Sequence, residues 1–274
     1  MATAAVAERR RAFHALHQSG CFIIPNPWDR GSAVLLAQLG FRALATTSSG
    51  FAWTLGRCDN HVTLDEALAY VDGIAHAVDV PVSADLEGGF AIEPSAVADN
   101  VRAAAATAIA GLSIEDSTGD GREPLFELAL AVDRIRAARA ALDADASGVV
   151  LTARSEGFIA GRPDLSETIR RLTAYAEAGA DCLYAPGVRS LEDIASIVKA
   201  VSPKPVNVLV GSDFATAAQL ESLGVRRISV GGALARAAWT GAVKAATEIA
   251  EHGTFTTLAK AIPFTEIEKR FAGR

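Results

Sequence analysis

The stretch "VPVSADLEGGF", residues 80–90, begins with the apolar residues of a buried strand and breaks at Gly88 and Gly89. Within it Asp85 and Glu87 lie two residues apart, so the alternation of a strand places both carboxylates on one side. Two adjacent carboxylates repel each other unless a positive charge lies between them. The stretch therefore predicts a buried strand with an acidic site at its end, and glycines that let the backbone turn sharply there.

Similar short apolar runs recur along the chain, separated by segments with apolar residues every three or four positions. Together with the first stretch, the strand-like runs are residues 21–26, 42–48, 80–87, 111–116, 148–156, 181–187, 205–211 and 226–232. Runs that are apolar throughout indicate parallel strands with both faces covered. Eight such units predict an α/β fold, a single (β/α)8 TIM barrel over residues 1–274, with a doubly wound open sheet as the alternative.

Two segments lie outside the eight units: a helix-rich preface at residues 7–19 and a C-terminal tail at residues 254–274. The tail carries apolar residues beyond a barrel that is already complete. We therefore expect it to pack on a partner subunit, which makes the chain a homo-oligomer.

Composition excludes several classes of function. The net charge is −6 and no basic stripe is present, so nucleic acid is not an expected partner. No apolar run reaches membrane-spanning length, and the N-terminus lacks the pattern of a secretory signal. Cys21, Cys58 and Cys182 are far apart and without CxxC spacing, which indicates reduced thiols in a cytoplasmic protein.

Active sites of such barrels lie at the carboxyl ends of the strands. The polar residues at these ends are Thr46, Thr47, Ser48, Ser49, Asp59, Asp85, Glu87, Glu115, Asp116, Arg154, Glu156, Tyr184, Asn207 and Ser212. Carboxylates without His or Cys nearby favour a hard cation, Mg²⁺ or Mn²⁺. The alternative is that the carboxylates cap helices or pair with arginines at the rim.

Arg154 also allows two interpretations. It is either a salt-bridge partner of Glu115 or Glu156, or a fork that binds a substrate carboxylate or stabilises an enolate. The segment "TTSSG", residues 46–50, either supplies N–H groups and hydroxyls to an anion or is an ordinary polar loop. Cys58 has no His in a recognisable dyad and is interpreted as an inert thiol.

Four segments together resemble the isocitrate lyase / phosphoenolpyruvate mutase superfamily, and the resemblance covers nearly the whole chain. Residues 25–59, "PNPWDRGSAVLLAQLGFRALATTSSGFAWTLGRCD", are similar to that family's first two βα units. "SADLEGGF", residues 83–90, is similar to its metal-binding strand, which usually has Asp where Glu87 stands. "IEDS" (114–117) matches the strand-4 acid, and "ARSEGFIAG" (153–161) matches the segment that carries the family's arginine.

The resemblance implies a barrel whose last helix is exchanged between subunits, in a dimer of helix-swapped dimers. It implies Mg²⁺ held by Asp85, with Glu87, Glu115 and Asp59 acting largely through water. A small carboxylic acid would contact the Ser48–Gly50 backbone, including Ser49, and meet Arg154, with Asn207 as a further candidate ligand. The implied reaction is that of a carbon–carbon lyase of the methylisocitrate lyase type, which stabilises an enolpyruvate-like oxyanion.

Two departures leave the reaction open. Methylisocitrate lyases carry a "KKCGH" segment after strand 4, and mutases a longer gating loop, whereas residues 114–126 here read "IEDSTGDGREPLF". Where the family usually has a His on strand 6, this chain has the stretch "YAP", residues 184–186, which begins with Tyr184. A lyase that draws its proton from Tyr184, Glu156 or water, a decarboxylase of oxaloacetate or another 2-oxo acid, and a mutase or phosphonopyruvate hydrolase are therefore alternatives. A non-catalytic keto-acid-binding relative is a further one.

Two other barrel chemistries are less favoured. A Schiff-base aldolase needs a lysine on an inner strand, but Lys199, Lys204, Lys244, Lys260 and Lys269 fall on helices, loops or the tail. A phosphate site at "VGSDF" (210–214) and "VGGALARA" (230–237) competes with the simpler interpretation that Gly231 and Gly232 permit close packing.

Overall fold

The computed structural model describes residues 3–272 and contains eight parallel strands that alternate with helices. The strands are β1 (Phe22–Ile24), β2 (Leu44–Ala45), β3 (Val82–Asp85), β4 (Gly111–Glu115), β5 (Val150–Arg154), β6 (Cys182–Tyr184), β7 (Val206–Leu209) and β8 (Arg227–Ser229). Each lies within one of the predicted runs. The α/β class is therefore confirmed.

The helices are α1 (Ala4–Leu16), α2 (Arg30–Gln38), α3 (Ser48–Thr54), α4 (Leu64–Ala77), α5 (Pro94–Ala105), α6 (Leu128–Ala144), α7 (Leu165–Glu177), α8 (Leu191–Val201), α9 (Ala217–Ser222), α10 (Ala233–His252) and α11 (Phe264–Phe271). A short 3₁₀ turn lies at Leu258–Lys260. Their buried faces, such as Val71 and Ile74 of α4 and Val97 and Val101 of α5, pack on the sheet. No helix of the described chain combines the length and apolar character needed to cross a membrane.

The sheet runs in the order β1-β8-β7-β6-β5-β4-β3-β2, so β1 and β2 are its ends. At this seam the Ala45 N–H donates to the Pro25 carbonyl over 3.1 Å, and Asn26 Nδ2 donates to the Thr46 carbonyl over 3.0 Å. These bonds bring the two ends together into a nearly closed barrel. The TIM barrel is confirmed over the open sheet.

The predicted N-terminal helix covers the amino ends of the strands. Phe13 of α1 is fully buried against β1 and β4 neighbours. The buried Arg10 guanidinium donates to the carbonyls of Ile109 (2.9 Å), Ala105 (2.8 Å) and Ser147 (2.7 Å), which precede β4 and β5. With this end closed, the opposite end of the barrel is left for a site.

The C-terminal tail runs from Gly253, a left-handed residue that ends α10, through the 3₁₀ turn to α11. It lies on the surface, with Phe255 61% and Phe264 77% exposed, and touches α2 of its own chain, where Gln38 Nε2 donates to the Arg270 carbonyl. The predicted packing of residues 254–274 on a partner stays a prediction, and residues 273–274 lie outside the described chain.

Candidate functional site

A cavity of about 300 Å³ lies at the carboxyl ends of the strands. Of the residues predicted to form a site, ten line it: Ser48, Ser49, Asp59, Asp85, Glu87, Glu115, Arg154, Glu156, Tyr184 and Asn207. Gly50 is not among the lining residues. A Cβ there would meet the Thr47 side chain at 2.6 Å, Trp28 at 2.9 Å and Ala235 at 3.4 Å. The predicted contact of the Gly50 backbone with substrate stays a prediction.

The segment at residues 46–50, interpreted as either an anion-binding segment or an ordinary polar loop, leads into α3, which begins at Ser48. Thr47 is the N-cap and its hydroxyl accepts from the Gly50 N–H over 3.3 Å. The Ser48 N–H donates to Asp85 Oδ2 over 3.2 Å. These N–H groups are therefore already used within the protein, and Asp85 gains support from a helix N-terminus.

Arg154 lies at the centre of the acidic residues. Its Nη1 contacts Asp85 Oδ1 at 2.8 Å, Nη2 contacts Glu115 Oε2 at 2.9 Å, and Nε contacts Glu156 Oε1 at 2.8 Å. The strand register causes this, because Glu115 of β4 lies opposite Arg154 of β5. The positive charge beside Asp85 in this structure is thus Arg154. Arg154 forms the salt bridges to Glu115 and Glu156 that were one of its two interpretations.

The carboxylates nevertheless outnumber this arginine. Five carboxyl groups line the cavity, from Asp59, Asp85, Glu87, Glu115 and Glu156. Burial, followed by the charges of Asp85 and Asp59, raises the pKa of Glu87 to about 8. Burial also raises the pKa of Glu115 and of Glu156, although Arg154 opposes this. The site therefore attracts a further cation or retains protons.

The donor set fits a hard divalent cation. Glu87 Oε1 is buried and has no hydrogen-bond partner, and every acidic ligand candidate offers oxygen. Within residues 3–272 no three His, Cys, Asp or Glu side chains converge on one point. That excludes an all-protein cage, but Mg²⁺ is usually held by one or two carboxylates and several waters.

The backbone turns sharply after β3, as the two glycines predict. Gly89 has φ 74°, but Glu87 itself, at φ 48°, and Phe90, at φ 55°, also adopt left-handed conformations. The buried Arg134 donates to the Gly88 carbonyl and so supports the turn from below. This turn points the Glu87 carboxyl group into the cavity.

Tyr184 lies beside Arg154, whose Cζ is 5.4 Å from the centre of the Tyr184 ring. Burial raises the pKa of Tyr184 to about 12, against the opposing effects of Arg154 and Ser229. Its hydroxyl is therefore protonated at neutral pH and is able to donate a proton or a hydrogen bond.

The cavity also contains Arg227, which the sequence analysis did not single out. Arg227 Nε donates to Asn207 Oδ1 over 2.9 Å, and Asn207 Nδ2 donates to Ser229 Oγ over 2.9 Å. The signal that could have found it is a charged residue inside a run predicted to be a fully buried strand.

Asp116 does not line the cavity, and of the loop after β4 only Ser117 among the described residues does. Asp116 accepts from Tyr175 Oη at 2.6 Å, from Arg171 Nη1 at 3.1 Å and from the Glu156 N–H at 2.8 Å. The loop folds back on itself through a bridge between Ser117 and Leu125. Among the described residues no Cys, Lys or His lines the cavity.

The glycine segment after β8 is used for packing. Asn26 Oδ1 accepts from the N–H groups of both Val230 and Gly231 at 2.9 Å. A Cβ at Gly232 would approach Ser49 Oγ at 3.0 Å and the Trp53 ring at 3.1 Å. The geometry favours close packing over a phosphate site.

Comparison with protein families matches residues 13–250 to the phosphoenolpyruvate phosphomutase family. An uncharacterized protein of Mycobacterium tuberculosis H37Rv is 32% identical over 261 residues, 94% of this chain and 95% of that protein. Escherichia coli K12 2-methylisocitrate lyase is 30% identical over 58% of this chain and 55% of its own. Oxaloacetate decarboxylase of Pseudomonas savastanoi pv. phaseolicola is 30% identical, covering 86% and 81%.

Solved structures with a similar fold carry related names. A Burkholderia cenocepacia J2315 protein, provisionally assigned as a lyase/mutase, superposes with a TM-score of 0.96 at 46% identity, covering 99% of this chain and 98% of its own. A 2,3-dimethylmalate lyase gives a TM-score of 0.85 at 25% identity, covering 99% and 96%. Oxaloacetate acetylhydrolase with its product oxalate gives 0.84 at 25% identity, covering 96% and 93%.

Proposed function

The chain belongs to the phosphoenolpyruvate phosphomutase family, and from this premise we propose that it is a Mg²⁺-dependent carbon–carbon lyase. Its substrate is a 2-oxo or 2-hydroxy carboxylic acid that reacts through an enolpyruvate-like oxyanion. The observation that carries the proposal is Arg154, fixed by carboxylates of three strand ends at the mouth of the cavity.

Arg154 is suited to an anionic substrate although it is already ion-paired. A guanidinium carries about five N–H donors, and the three ion pairs engage one donor on each nitrogen. One donor on Nη1 and one on Nη2 remain for a ligand. Because Asp85, Glu115 and Glu156 hold the guanidinium plane, these donors are oriented before the substrate arrives, which favours charge stabilisation in the transition state.

We propose Asp85 as the residue that holds Mg²⁺, with Glu87, Glu115 and Asp59 acting largely through water. The unsatisfied Glu87 Oε1 and the excess of carboxylates support this assignment. Mn²⁺ has the same preference for oxygen and could replace Mg²⁺. The metal, when bound, would act as a Lewis acid that offsets negative charge on the substrate oxygens.

Cleavage of a bond next to the carbonyl leaves a carbon that needs a proton. Glu156 accepts from Arg154 Nε over 2.8 Å, so its carboxyl group is engaged in holding that arginine, although burial raises its pKa. Tyr184 keeps its proton at neutral pH and lies beside Arg154. We therefore propose Tyr184 as the proton donor, with Glu156 positioning Arg154.

A decarboxylase of oxaloacetate or a related 2-oxo acid is the second candidate. Two observations favour it: the loop after β4 brings no Cys, Lys or His of the described chain to the cavity, and an oxaloacetate decarboxylase matches more of this chain than a methylisocitrate lyase does. Both reactions need the same stabilised enolate. They differ in the group that leaves.

The test is a product screen with Mg²⁺ over oxaloacetate, 2-methylisocitrate, alkylmalates and phosphonopyruvate. Pyruvate or another 2-oxo acid released without CO₂ from 2-methylisocitrate or an alkylmalate, together with the second carboxylic acid fragment, establishes the lyase, and pyruvate released with CO₂ from oxaloacetate establishes the decarboxylase. Phosphate or phosphoenolpyruvate formed from phosphonopyruvate would establish a hydrolase or mutase instead. Binding of oxalate without any turnover would identify a non-catalytic relative.

The metal assignment has a test of its own. Asp85→Ala should abolish Mg²⁺-dependent oxalate binding, measured by calorimetry, whereas Asp99→Ala on the exposed face of α5 should not. Unchanged oxalate affinity in Asp85→Ala would remove Asp85 as the ligand.

We also propose that the tail, residues 254–274, is exchanged between subunits in a dimer of helix-swapped dimers. Its exposed apolar side chains, with Trp239 and Val243 of α10 at 47% and 60% exposure, support this proposal. Trp239 and Val243 line one groove on the surface, and a contiguous exposed apolar patch marks an interaction surface.

A further inference from the structure

The turn after β3 contains more left-handed backbone than its glycines explain. Gly89 has φ 74°, but Glu87, at φ 48°, and Phe90, at φ 55°, also have positive φ. For a residue with a Cβ this conformation is unfavourable, and it persists only where the surrounding contacts enforce it. Groups from elsewhere in the fold must therefore hold this turn.

Two helices supply side chains that hold successive carbonyls of the turn. Arg134 of α6 donates to the Gly88 carbonyl, and Asn100 Nδ2 of α5 donates to the Gly89 carbonyl over 2.9 Å. Val97 of α5 lies beneath the same turn, where a Cβ on Gly89 would meet it at 3.2 Å. Since α5 and α6 pack on each other, both donors belong to one rigid support.

Arg134 is an unusual residue to find at this position. It is only 1% exposed, and no carboxylate of the described chain forms an ion pair with it. Its Nε and Nη1 atoms are buried without a hydrogen-bond partner, so among the described residues its only hydrogen bond goes to the Gly88 carbonyl. A buried cation without a carboxylate partner is costly to a fold. The contact with the turn is what this arginine offers in return.

Phe126, at the end of the loop after β4, fixes the plane of this guanidinium. The Arg134 Cζ atom lies 3.9 Å from the centre of the Phe126 ring, within the range of a cation–π contact. Phe126 is itself held, because its N–H donates to the Asp116 carbonyl and its own carbonyl accepts from Arg171 Nη1, each over 2.9 Å. Neither Phe126 nor Arg134 lines the cavity.

The turn determines where the Glu87 carboxyl group lies. Glu87 is buried and lines the cavity, and its Oε1 has no hydrogen-bond partner. Its main chain is fixed, since its carbonyl accepts from the Glu115 N–H over 2.9 Å. The direction of the carboxyl group is therefore set by the backbone conformation rather than by a partner of Oε1.

We infer that Arg134 and Asn100 are positioning residues for Glu87. They hold the turn after β3 in the left-handed conformation that presents the Glu87 carboxyl group to a bound cation, and Phe126 orients Arg134. The inference rests on the proposed function, in which Glu87 contributes to the Mg²⁺ site largely through water. Neither positioning residue touches the metal or the substrate.

The first test needs no metal. The Gly89 N–H donates to the Leu86 carbonyl over 2.7 Å, so it is protected only while the turn is formed. In Arg134→Met and in Asn100→Ala, the Gly89 amide should exchange roughly 10-fold faster than in the wild type, measured by NMR hydrogen exchange in EDTA. The amides of β7, on the other side of the barrel, should keep their rates.

The second test measures Mg²⁺ affinity by calorimetry in the presence of oxalate. If the binding-competent turn is populated about one-tenth of the time in a variant, its apparent affinity falls about 10-fold. In a Glu87→Gln background, Arg134→Met should make no further difference, because a residue that acts through Glu87 has no target left. A general disturbance of the fold would instead weaken binding by the same factor in both backgrounds.

Arg136→Met is the matched control. Arg136 lies two residues further along α6 on its exposed face, where it pairs with Asp133. This variant should keep the wild-type exchange rates and Mg²⁺ affinity. If Arg134→Met does not fold, Asn100→Ala carries the same two tests, since it removes a half-buried side chain and no charge.

The outcomes separate the two proposals. If the wild type does not bind Mg²⁺ in the presence of oxalate, the proposed function fails. If it does bind, the positioning role is wrong should the Gly89 amide exchange no faster in the folded variants, should their Mg²⁺ affinity equal that of the wild type, or should Arg134→Met weaken binding equally in the Glu87→Gln background. In each of these cases the proposed function stands.

Discussion

Glu87→Gln should change the pH dependence of stability in a direction opposite to that of most carboxylates. The pKa of Glu87 is raised from 4.5 to about 8, mainly by burial. A carboxyl with a higher pKa in the folded than in the unfolded protein binds its proton more tightly when folded. Its stabilising contribution is therefore complete below pH 4.5 and is lost as the pH rises through 8.

The size of the effect follows from linkage. At 1.36 kcal/mol per pH unit, a pKa that moves from 4.5 to about 8 costs at most about 5 kcal/mol of unfolding free energy between those pH values. Gln is a neutral isostere of the protonated acid, so Glu87→Gln should avoid this loss. Glu115 and Glu156 also have raised pKa values and will keep part of the slope.

The assay is urea unfolding from pH 5 to pH 9 in EDTA, followed by circular dichroism. We expect the wild type to lose stability over this range and Glu87→Gln to lose several kcal/mol less. Glu192→Gln, an exposed position in the first turn of α8, should follow the wild type. Equal slopes for Glu87→Gln and wild type would show that Glu87 is not the buried, protonated group described above.

Binding of Mg²⁺ should offset the loss of unfolding free energy that the wild type shows at high pH. A ligand that binds only the folded protein adds about 2.7 kcal/mol at a hundredfold excess over its dissociation constant. At pH 8 the wild type should gain stability from Mg²⁺, and Glu87→Gln should gain less. An equal gain in both proteins would separate Glu87 from the metal site.

Four further predictions concern the arginine, the proton donor, the network behind the site and the tail. Arg154→Lys should lower kcat/KM by roughly 100-fold or more with little change in Tm, because a point charge cannot hold three carboxylates and a substrate in one plane. Unchanged kinetics with a lower Tm would make Arg154 purely structural. Tyr184→Phe should reduce kcat and leave oxalate affinity intact, since only the proposed proton is lost; full turnover in this variant would exclude Tyr184 as the donor. Asp116→Ala should destabilise the fold by about 3 to 5 kcal/mol in urea unfolding, because Arg171, Tyr175 and the Glu156 N–H lose a buried acceptor, whereas Asp133→Ala at the surface should cost below about 1 kcal/mol. Phe264→Glu in the tail should lower the oligomeric mass measured by light scattering without unfolding the barrel, and a tetramer that persists would count against subunit exchange.

The fold could be predicted because its signals are local. Each strand is a short apolar run, and each run is bounded by residues that end helices or start them, as Thr63 does with Glu66 in a capping box before α4. Alternation predicts Asp85 and Glu87 on the same side, and both line the cavity, although Glu87 lies beyond the end of β3 and reaches it through the left-handed turn. The rule that active sites lie at carboxyl ends then selects twelve of the residues that line it, the ten predicted site residues together with Thr46 and Thr47.

The missed features depend on contacts between distant strands. The pairing of Arg154 with Asp85 joins residues 69 positions apart, and it depends on the registers of β3 with β4 and of β4 with β5 rather than on any spacing in the sequence. The segment at residues 46–50 had two interpretations, an anion-binding segment and an ordinary polar loop, and neither included a helix; Thr47 is in fact the N-cap of α3, a position that Ser and Thr favour. Arg227 was missed because its environment is set by Asn207 and His17, which lie 20 and 210 positions away.

The charges of the cavity are divided between two walls, and this division bears on how a substrate is oriented. The acidic side chains come from β3, β4 and the end of β5, with Asp59 at the rim, whereas β7 and β8 contribute Asn207, Ser229 and Arg227. The first wall also holds Arg154, bound by three of its carboxylates, whereas Arg227 on the second wall forms no ion pair with a carboxylate of the described chain. A substrate acid that chelates a metal on the first wall would therefore find the oriented N–H donors of Arg154 beside the same carboxylates. Because the cation and the guanidinium lie on one wall, the negative charge that develops during the reaction is offset there, and this arrangement fixes which end of the substrate reacts.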